Sequence, residues 1–378
     1  MAQNDCQTQS PVESDRSGVP AGSHSLPTSW VVRGTWLFAG VVLPFFCFLI
    51  TYPENPRWQS GELSAYAQLL LSRKPSYAQY PFLLYSMTSM FLLILRPDRF
   101  WNSTFVCLGI FSGVIVAAEY WLIFQFACCD ATEIVLPMLL SAAAVVVPWL
   151  LGRLLAFLVR KFGYGVVGAI SALLALPLLL FFWVPAFICL WCSTPWALAS
   201  YLAVSIHLVR RGGAARFRFS LGQLLLALGW LSASFGAWRL SFIVMLREYA
   251  ALPLAPPPQC FVCTAAANGH PRMVRSENYL GLNGATFRVN DQLRSLKAFE
   301  LLLVSVSPRL HRLCRCVYDR VGPRLAATLV HPALADLGYL VLKPAEWVAR
   351  VCLALVIPGD LGLVRRIYRT HGSSEAAK

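Results

Sequence analysis

Charge is what this chain has least of. Only 13% of its 378 residues are Asp, Glu, Lys or Arg, where a soluble domain carries roughly 25%, and 57% are hydrophobic. The shortage is concentrated. Residues 166–209 hold no charged side chain, and those 44 residues are about twice what one bilayer crossing needs. That excludes an ordinary soluble fold and makes lipid the expected solvent. A cleavable signal peptide is not expected either, because the first 34 residues are polar and rich in Ser, Pro and Gly, and apolar sequence begins only after them. A secreted disulfide framework is excluded by position. Six of the 12 cysteines, Cys47, Cys107, Cys128, Cys129, Cys189 and Cys192, lie in or beside apolar runs, where a thiol acts as a small hydrophobe. No nucleic-acid motif accompanies the net charge of +14, so that charge is read as attraction to anionic lipid at the cytoplasmic face.

Beyond residues 166–209, which read as two helices broken at "CSTPW" around Pro195, apolar runs occupy about 35–52, 80–95, 104–127, 134–151 and 219–246. Each approaches the length of a transmembrane helix, giving six or seven spans. Arg96 and Arg99, then Arg153, Arg160 and Lys161, then Arg210, Arg211, Arg216 and Arg218 mark alternate loops, while "CCDATE" and "CSTP" carry no basic residue. The basic loops and the amino terminus are therefore expected in the cytoplasm of a multi-pass cell-membrane protein. Residues 260–378 hold 16 Lys/Arg against 8 Asp/Glu, which favours a cytoplasmic tail as well. A re-entrant or interfacial segment at 219–246, with Arg239 inside it, would reconcile the two, although large segments can cross regardless of charge.

The expected organisation is a polar tail at 1–34, a helical membrane domain at 35–250, a proline-rich linker at 251–259, a cysteine-box and helical domain at 260–360, and a basic end at 361–378. In "NYLGLNGATFRV" the pair Asn283-Gly284 separates two short apolar-rich runs, a hairpin signal. Prolines 308, 323, 332, 344 and 358 then punctuate the chain, predicting short helices that each begin near a proline. In residues 308–321 the positions Leu310, Leu313, Cys314, Val317, Tyr318 and Val321 repeat at helical spacing, with Arg309, Arg312, Arg315 and Asp319 opposite. The result is a basic amphipathic helix, suited to the bilayer surface or to docking on the bundle. The fold class is thus mainly α: a polytopic transmembrane bundle, a small β-hairpin and a proline-punctuated basic tail.

"CFVCTAAANGHPR", "VNDQLRSLKAFE", "HRLCRCVYDRVGPRLA" and "LKPAEW" together resemble a family of bacterial multi-pass membrane proteins that end in a Cys-Phe-(Ile/Val)-x-Thr-Ala-Ala box. The resemblance spans about residues 260–358. It implies the architecture and, the family having no assigned activity, no reaction. Cys260, Thr264, Ala265, Ala266 and Gly269 fit the box, whereas Cys263 stands where an apolar or small residue is usual.

Four readings of the box stay open. Cys260 and Cys263 have half a zinc-ribbon spacing, with Cys314, Cys316, His270 or His311 as further ligands; Cys314 and Cys316, two apart on a helix, cannot easily clasp one ion. A redox pair would need an α/β setting that the sequence lacks. Cys260 as nucleophile with His270 as base needs the two within hydrogen-bond reach. A packing motif uses the small residues 264–267 for close approach and Gly269 for a positive-φ turn. Convergence of Cys260, His270, Asn290 and Glu300 on one pocket would mark chemistry.

Glu119 and Arg239 are ionisable groups inside apolar spans and need a partner, each other included, or a water-filled cavity. No internal repeat supports a transporter. The sequence calls for no cofactor and expects no nucleic acid. It points to a membrane-embedded structural or interaction module whose basic tail binds lipid or a protein partner, with a thiol-dependent enzyme centred on Cys260 as the alternative.

Overall fold

The computed structural model describes residues 30–50, 53–128, 183–212, 220–254, 261–280, 286–359 and 361–368, with isolated positions between 139 and 163. Helices dominate it. In the first part, α1 (Trp30–Leu37) passes through a π-helical turn, Phe38–Val42, into α2 (Leu43–Ile50). Next come α3 (Leu63–Leu71), α4 (Arg73–Ser76), α5 (Tyr80–Leu95), α6 (Pro97–Phe100) and α7 (Thr104–Cys128). Two long helices, α8 (Trp183–Gly212) and α9 (Leu221–Ala251), complete it.

Among the described residues, three helical stretches are long and apolar enough to cross a membrane: Arg73–Leu95, Thr104–Ala127 and Leu221–Ala251. They coincide with the expected runs at 80–95, 104–127 and 219–246. The run at 35–52 appears as a shorter apolar helix, Val32–Cys47. Residues 134–151 and 166–182 lie almost wholly outside the described residues.

Two expectations are corrected. The chain does not break at Pro195, which sits inside the 30-residue helix α8. An interior proline costs a helix one hydrogen bond and a ring clash with the preceding turn, and α8 runs through it. Segment 219–246 is neither re-entrant nor interrupted: α9 is one helix of 31 residues. Its start is fixed by a capping box, in which Ser220 Oγ accepts from Gln223 N and Gln223 returns a bond to Ser220 N.

That continuity fixes which end of the bundle meets the tail. His207 on α8 contacts Trp36 and Trp101 at ring separations of 6.3 and 5.9 Å, so Arg33, Arg96, Arg99 and Arg210 share one end. At the other end Gln68 donates to Ala127 O at 3.0 Å, and Tyr249 OH donates to Ser60 O at 2.9 Å. There Arg312 of the tail lies 5.5 Å over the Phe126 ring. The tail is therefore seated at the end opposite Arg96, Arg99 and Arg210, where the sequence reading had put both on one side.

After Ala251, Gln59 N donates to Pro253 O at 2.8 Å, and the linker continues outside the described residues. The tail comprises α10 (Phe261–Ala266), α11 (Pro271–Val274), β1 (Glu277–Leu280), β2 (Thr286–Val289), α12 (Asp291–Val306), α13 (Pro308–Thr328), α14 (Pro332–Val341), α15 (Lys343–Val356) and α16 (Gly362–Arg366). The strands form the expected hairpin, antiparallel with Glu277 opposite Val289 and Leu280 opposite Thr286; Asn283-Gly284 falls outside the described residues. Pro308, Pro332 and Pro344 open helices as predicted. Pro323 instead lies inside α13, and Pro358 follows α15 beside Gly359, whose φ is +85°.

Bundle and tail share one core. Tyr66, Phe126, Phe242, Met245 and Tyr249 of the bundle pack in the same cluster as Leu293, Leu301, Val304, Leu353 and Ile367 of the tail. A second cluster, including Met90, Ile110, Tyr201 and Val204, joins α5, α7 and α8.

Candidate functional site

The tail is organised around α12. Asn290 caps it, its side chain accepting from Leu293 N at 2.8 Å. The helix then presents charged residues to the interior. Arg294, 4% exposed, reaches Glu277 at 2.8 Å, Asp291 at 3.1 Å, the Tyr279 hydroxyl at 2.7 Å and Ile367 O at 3.2 Å. Glu346, arriving from α15, is buried between Lys343 at 2.8 Å, Arg350 at 2.6 Å and Gln292 Nε2 at 3.2 Å.

Glu300 is the densest junction. Its Oε2 takes Lys297 Nζ at 2.8 Å and the Tyr66 hydroxyl at 3.2 Å; its Oε1 meets His311 Nε2 at 3.0 Å and Arg315 at 3.1 Å. Lys297 is fully buried and lies 5.0 Å over the Tyr66 ring, a cation–π contact. Burial alone would raise the Glu300 pKa, but Lys297, His311 and Arg315 outweigh it and hold the carboxyl well below the usual carboxylate range. Tyr66 belongs to α3, so this cluster fastens the tail to the bundle.

The cysteine box forms α10, wedged between α13 and α14. Phe261 stacks on Tyr318 at 6.5 Å, and Val262 N donates to the Tyr318 hydroxyl at 2.9 Å. Ala266 and Ala267 are wholly buried. Gly269 is not in the positive-φ region, contrary to expectation; space requires it. A Cβ there would collide with Asp336 Oδ1 and stand 2.6 Å from Val274 Cγ2. Asp336 receives His270 N at 2.8 Å on Oδ1 and faces His270 Nδ1 at 2.6 Å on Oδ2. These bonds hold the Asp336 carboxyl below its ordinary pKa.

Cys260 lies outside the described residues. Cys263 is buried in the core, and Cys314 and Cys316 are exposed on α13. His270 pairs with Asp336 whereas His311 pairs with Glu300, so the two histidines belong to separate clusters. Among the described residues no three His, Cys, Asp or Glu side chains gather as metal ligands would. Asn290 and Glu300, ten residues apart on one helix, are separated by about 15 Å of rise, so His270, Asn290 and Glu300 do not converge on one pocket. Glu119 lines a cavity between α7 and α9. Arg239 does not line that cavity, no ion pair joins the two, and Arg239 Nε is buried without a hydrogen-bond partner.

Sequence reasoning missed Asp336, Lys297 and Tyr66. Asp336 did leave a signal: it is the only charged residue in the apolar helix "PALADLGYLV".

Two apolar stripes lie on the outer surface of the tail. On α13 the stripe Leu310, Leu313, Val317, Val321 and Leu325 is exposed, Leu313 at 65%, while His311, Arg315 and Gly322 turn inward. Arg315 lies opposite the apolar stripe, as the periodicity predicts, and it is the Arg315 side that meets protein. On α15 Glu346, Ala349 and Leu353 face in, and Trp347, Val348, Val351 and Leu355 are 56–74% exposed.

These features define a mainly helical protein with, among the described residues, three apolar helices of membrane-crossing length and a helical tail built on buried ion pairs. Residues 258–371 match the DUF6688 C-terminal domain, a domain of unknown function. No curated protein and no solved structure matches the chain.

Proposed function

We propose that the chain is a multi-pass protein of the bacterial cell membrane, acting as an interaction module whose C-terminal domain lies in the bilayer interface at one end of the bundle. The observation that carries this reading is the inverted polarity of α13 and α15. Arg315 of α13 and Glu346 of α15 point into the protein, while one stripe of Leu and Val on α13 and one of Trp, Val and Leu on α15 point out. In water such faces would be an aggregation liability; in an interface they are the binding surface. The depth agrees. Arg312 of α13 sits over Phe126, one residue before the end of the Thr104–Ala127 stretch, which is the level of the bilayer boundary. Arg309, Arg320 and Arg324 are exposed on the same helix and supply attraction for anionic headgroups.

The basic short loops put Arg96, Arg99 and Arg210 in the cytoplasm. A tail of more than a hundred residues crosses largely irrespective of its charge, so the tail belongs to the opposite leaflet. A test uses full-length protein in nanodiscs, with a polarity-sensitive fluorophore on single cysteines at 317, 351 and 320. Lipids brominated on their chains should quench positions 317 and 351 strongly and 320 weakly, more so with anionic lipid. Equal, weak quenching at all three would remove the interfacial reading.

A thiol-dependent enzyme remains a second reading because of the His270–Asp336 pair, in which the carboxylate at Nδ1 leaves the side chain 59% exposed. A folded Cys260→Ser protein with unchanged function would end it.

A further inference from the structure

The helices of membrane-crossing length among the described residues border a half-open cavity of about 450 Å³, with Glu119, Leu231 and Phe235 on its exposed side; the volume falls in the range of small-molecule sites. Its walls are mostly apolar, and two indoles are fixed in them. Trp230 donates to Ser112 Oγ at 3.2 Å and meets Phe82 edge-on at 6.1 Å; Trp238 donates to Ser305 O at 3.1 Å. Two polar groups in the lining have no use in the fold. Glu119 makes no hydrogen bond or ion pair among the described residues, and Ser234 Oγ is buried without a partner. A carboxylate within a span needs a cation or water, and Arg239, the ionisable residue of the other apolar span, does not meet it.

We propose that this cavity binds one alkyl chain of an amphiphile bearing an ammonium head. The apolar walls take the chain. The head pairs with Glu119, with Ser234 as a further hydrogen-bond partner, and the indole faces favour a cation beside them. Ser305, Val306 and Pro308, at the junction of α12 and α13, close one side of the cavity, so the ligand also touches the tail. The proposal goes beyond the interfacial role of the tail and rests only on the spans lying in lipid. A free long-chain amine and a bilayer lipid with a primary ammonium head share this chemistry.

The test follows tryptophan fluorescence of the full-length protein in phosphatidylcholine nanodiscs, whose co-elution with the protein reports membrane insertion separately. The probes are 12-bromododecylammonium, 12-bromododecanol and 12-bromododecyl sulfate, with bromine as the quencher. The ammonium probe should quench at a concentration at least tenfold lower than either other probe. The excess should vanish in a Trp230→Phe/Trp238→Phe protein, and Glu119→Gln should abolish the preference. Extra quenching by chain-brominated phosphatidylethanolamine over phosphatidylglycerol, lost in the Trp double variant, identifies the occupant as a lipid; its absence alongside ammonium-probe binding identifies a free amine. Equal potency of the three probes on wild-type protein, or quenching that does not depend on Trp230 and Trp238, overturns the proposal whatever the fate of the variants.

Discussion

Glu300 on α12 accepts a hydrogen bond from the hydroxyl of Tyr66 on α3 at 3.2 Å, across 234 residues of chain. The same carboxylate neutralises Lys297 and Arg315, so it is at once the tail's internal counter-ion and its attachment to the bundle. Glu300→Gln takes this carboxylate from the buried Lys297, whereas Arg315 keeps Asp319 at 3.0 Å. Breaking a buried ion pair from one side costs about 3–5 kcal/mol, and the loss should appear as a lowered unfolding midpoint and as protease sensitivity between residues 251 and 290. A midpoint unchanged within error would show that the cluster contributes nothing.

The same cluster sets a pH dependence. The folded pKa of Glu300 lies below its ordinary 4.5, so its contribution is complete above that value and fades as pH falls toward the folded pKa. Melting of the wild type should therefore be flat from neutral pH down to about the ordinary carboxyl value and decline below it. The Glu300→Gln protein should lose less over the same interval. Parallel curves would remove Glu300 as the titrating group.

Seating of the tail opposite the basic loops predicts the result of labelling with a membrane-impermeant maleimide. In a cysteine-free background, Asp98→Cys and Arg320→Cys should react from opposite sides of sealed vesicles, with residue 98 inside. Reaction from the same side would contradict the uninterrupted α9.

How far these relationships could be read in advance depends on what a pattern encodes. The helical periodicity of residues 308–321 was plain, yet it could not say which stripe meets protein. Its apolar face suits a core and a bilayer equally, and the deciding contact, Arg315 with Glu300, joins two helices. The hairpin was legible because strand pairing is local and Asn-Gly favours its turn. Tyr66 was not legible, since nothing near it records a partner 234 residues away. Pro195 misled because proline marks a helix end only where packing does not carry the helix through. Gly269 was singled out correctly for the wrong cause: sequence cannot separate a glycine needed for φ from one needed for space.

That distinction makes the box itself testable. Gly269→Ala should destabilise by about 1–3 kcal/mol, the cost of overpacking, because its methyl must displace the Asp336 carboxylate from His270. Ala266→Leu, at a wholly buried site against α13 and α14, should be at least as damaging. Cys263→Ala should be milder, since it removes only one sulfur from the core, and it should leave the metal content of the purified protein unchanged. A zinc site predicts the opposite order, with Cys263→Ala lowering both bound zinc and stability while Gly269→Ala is tolerated. Thermal melts of the three proteins, paired with metal analysis, separate the two readings. Zinc present in wild type and lost in Cys263→Ala would displace the packing account.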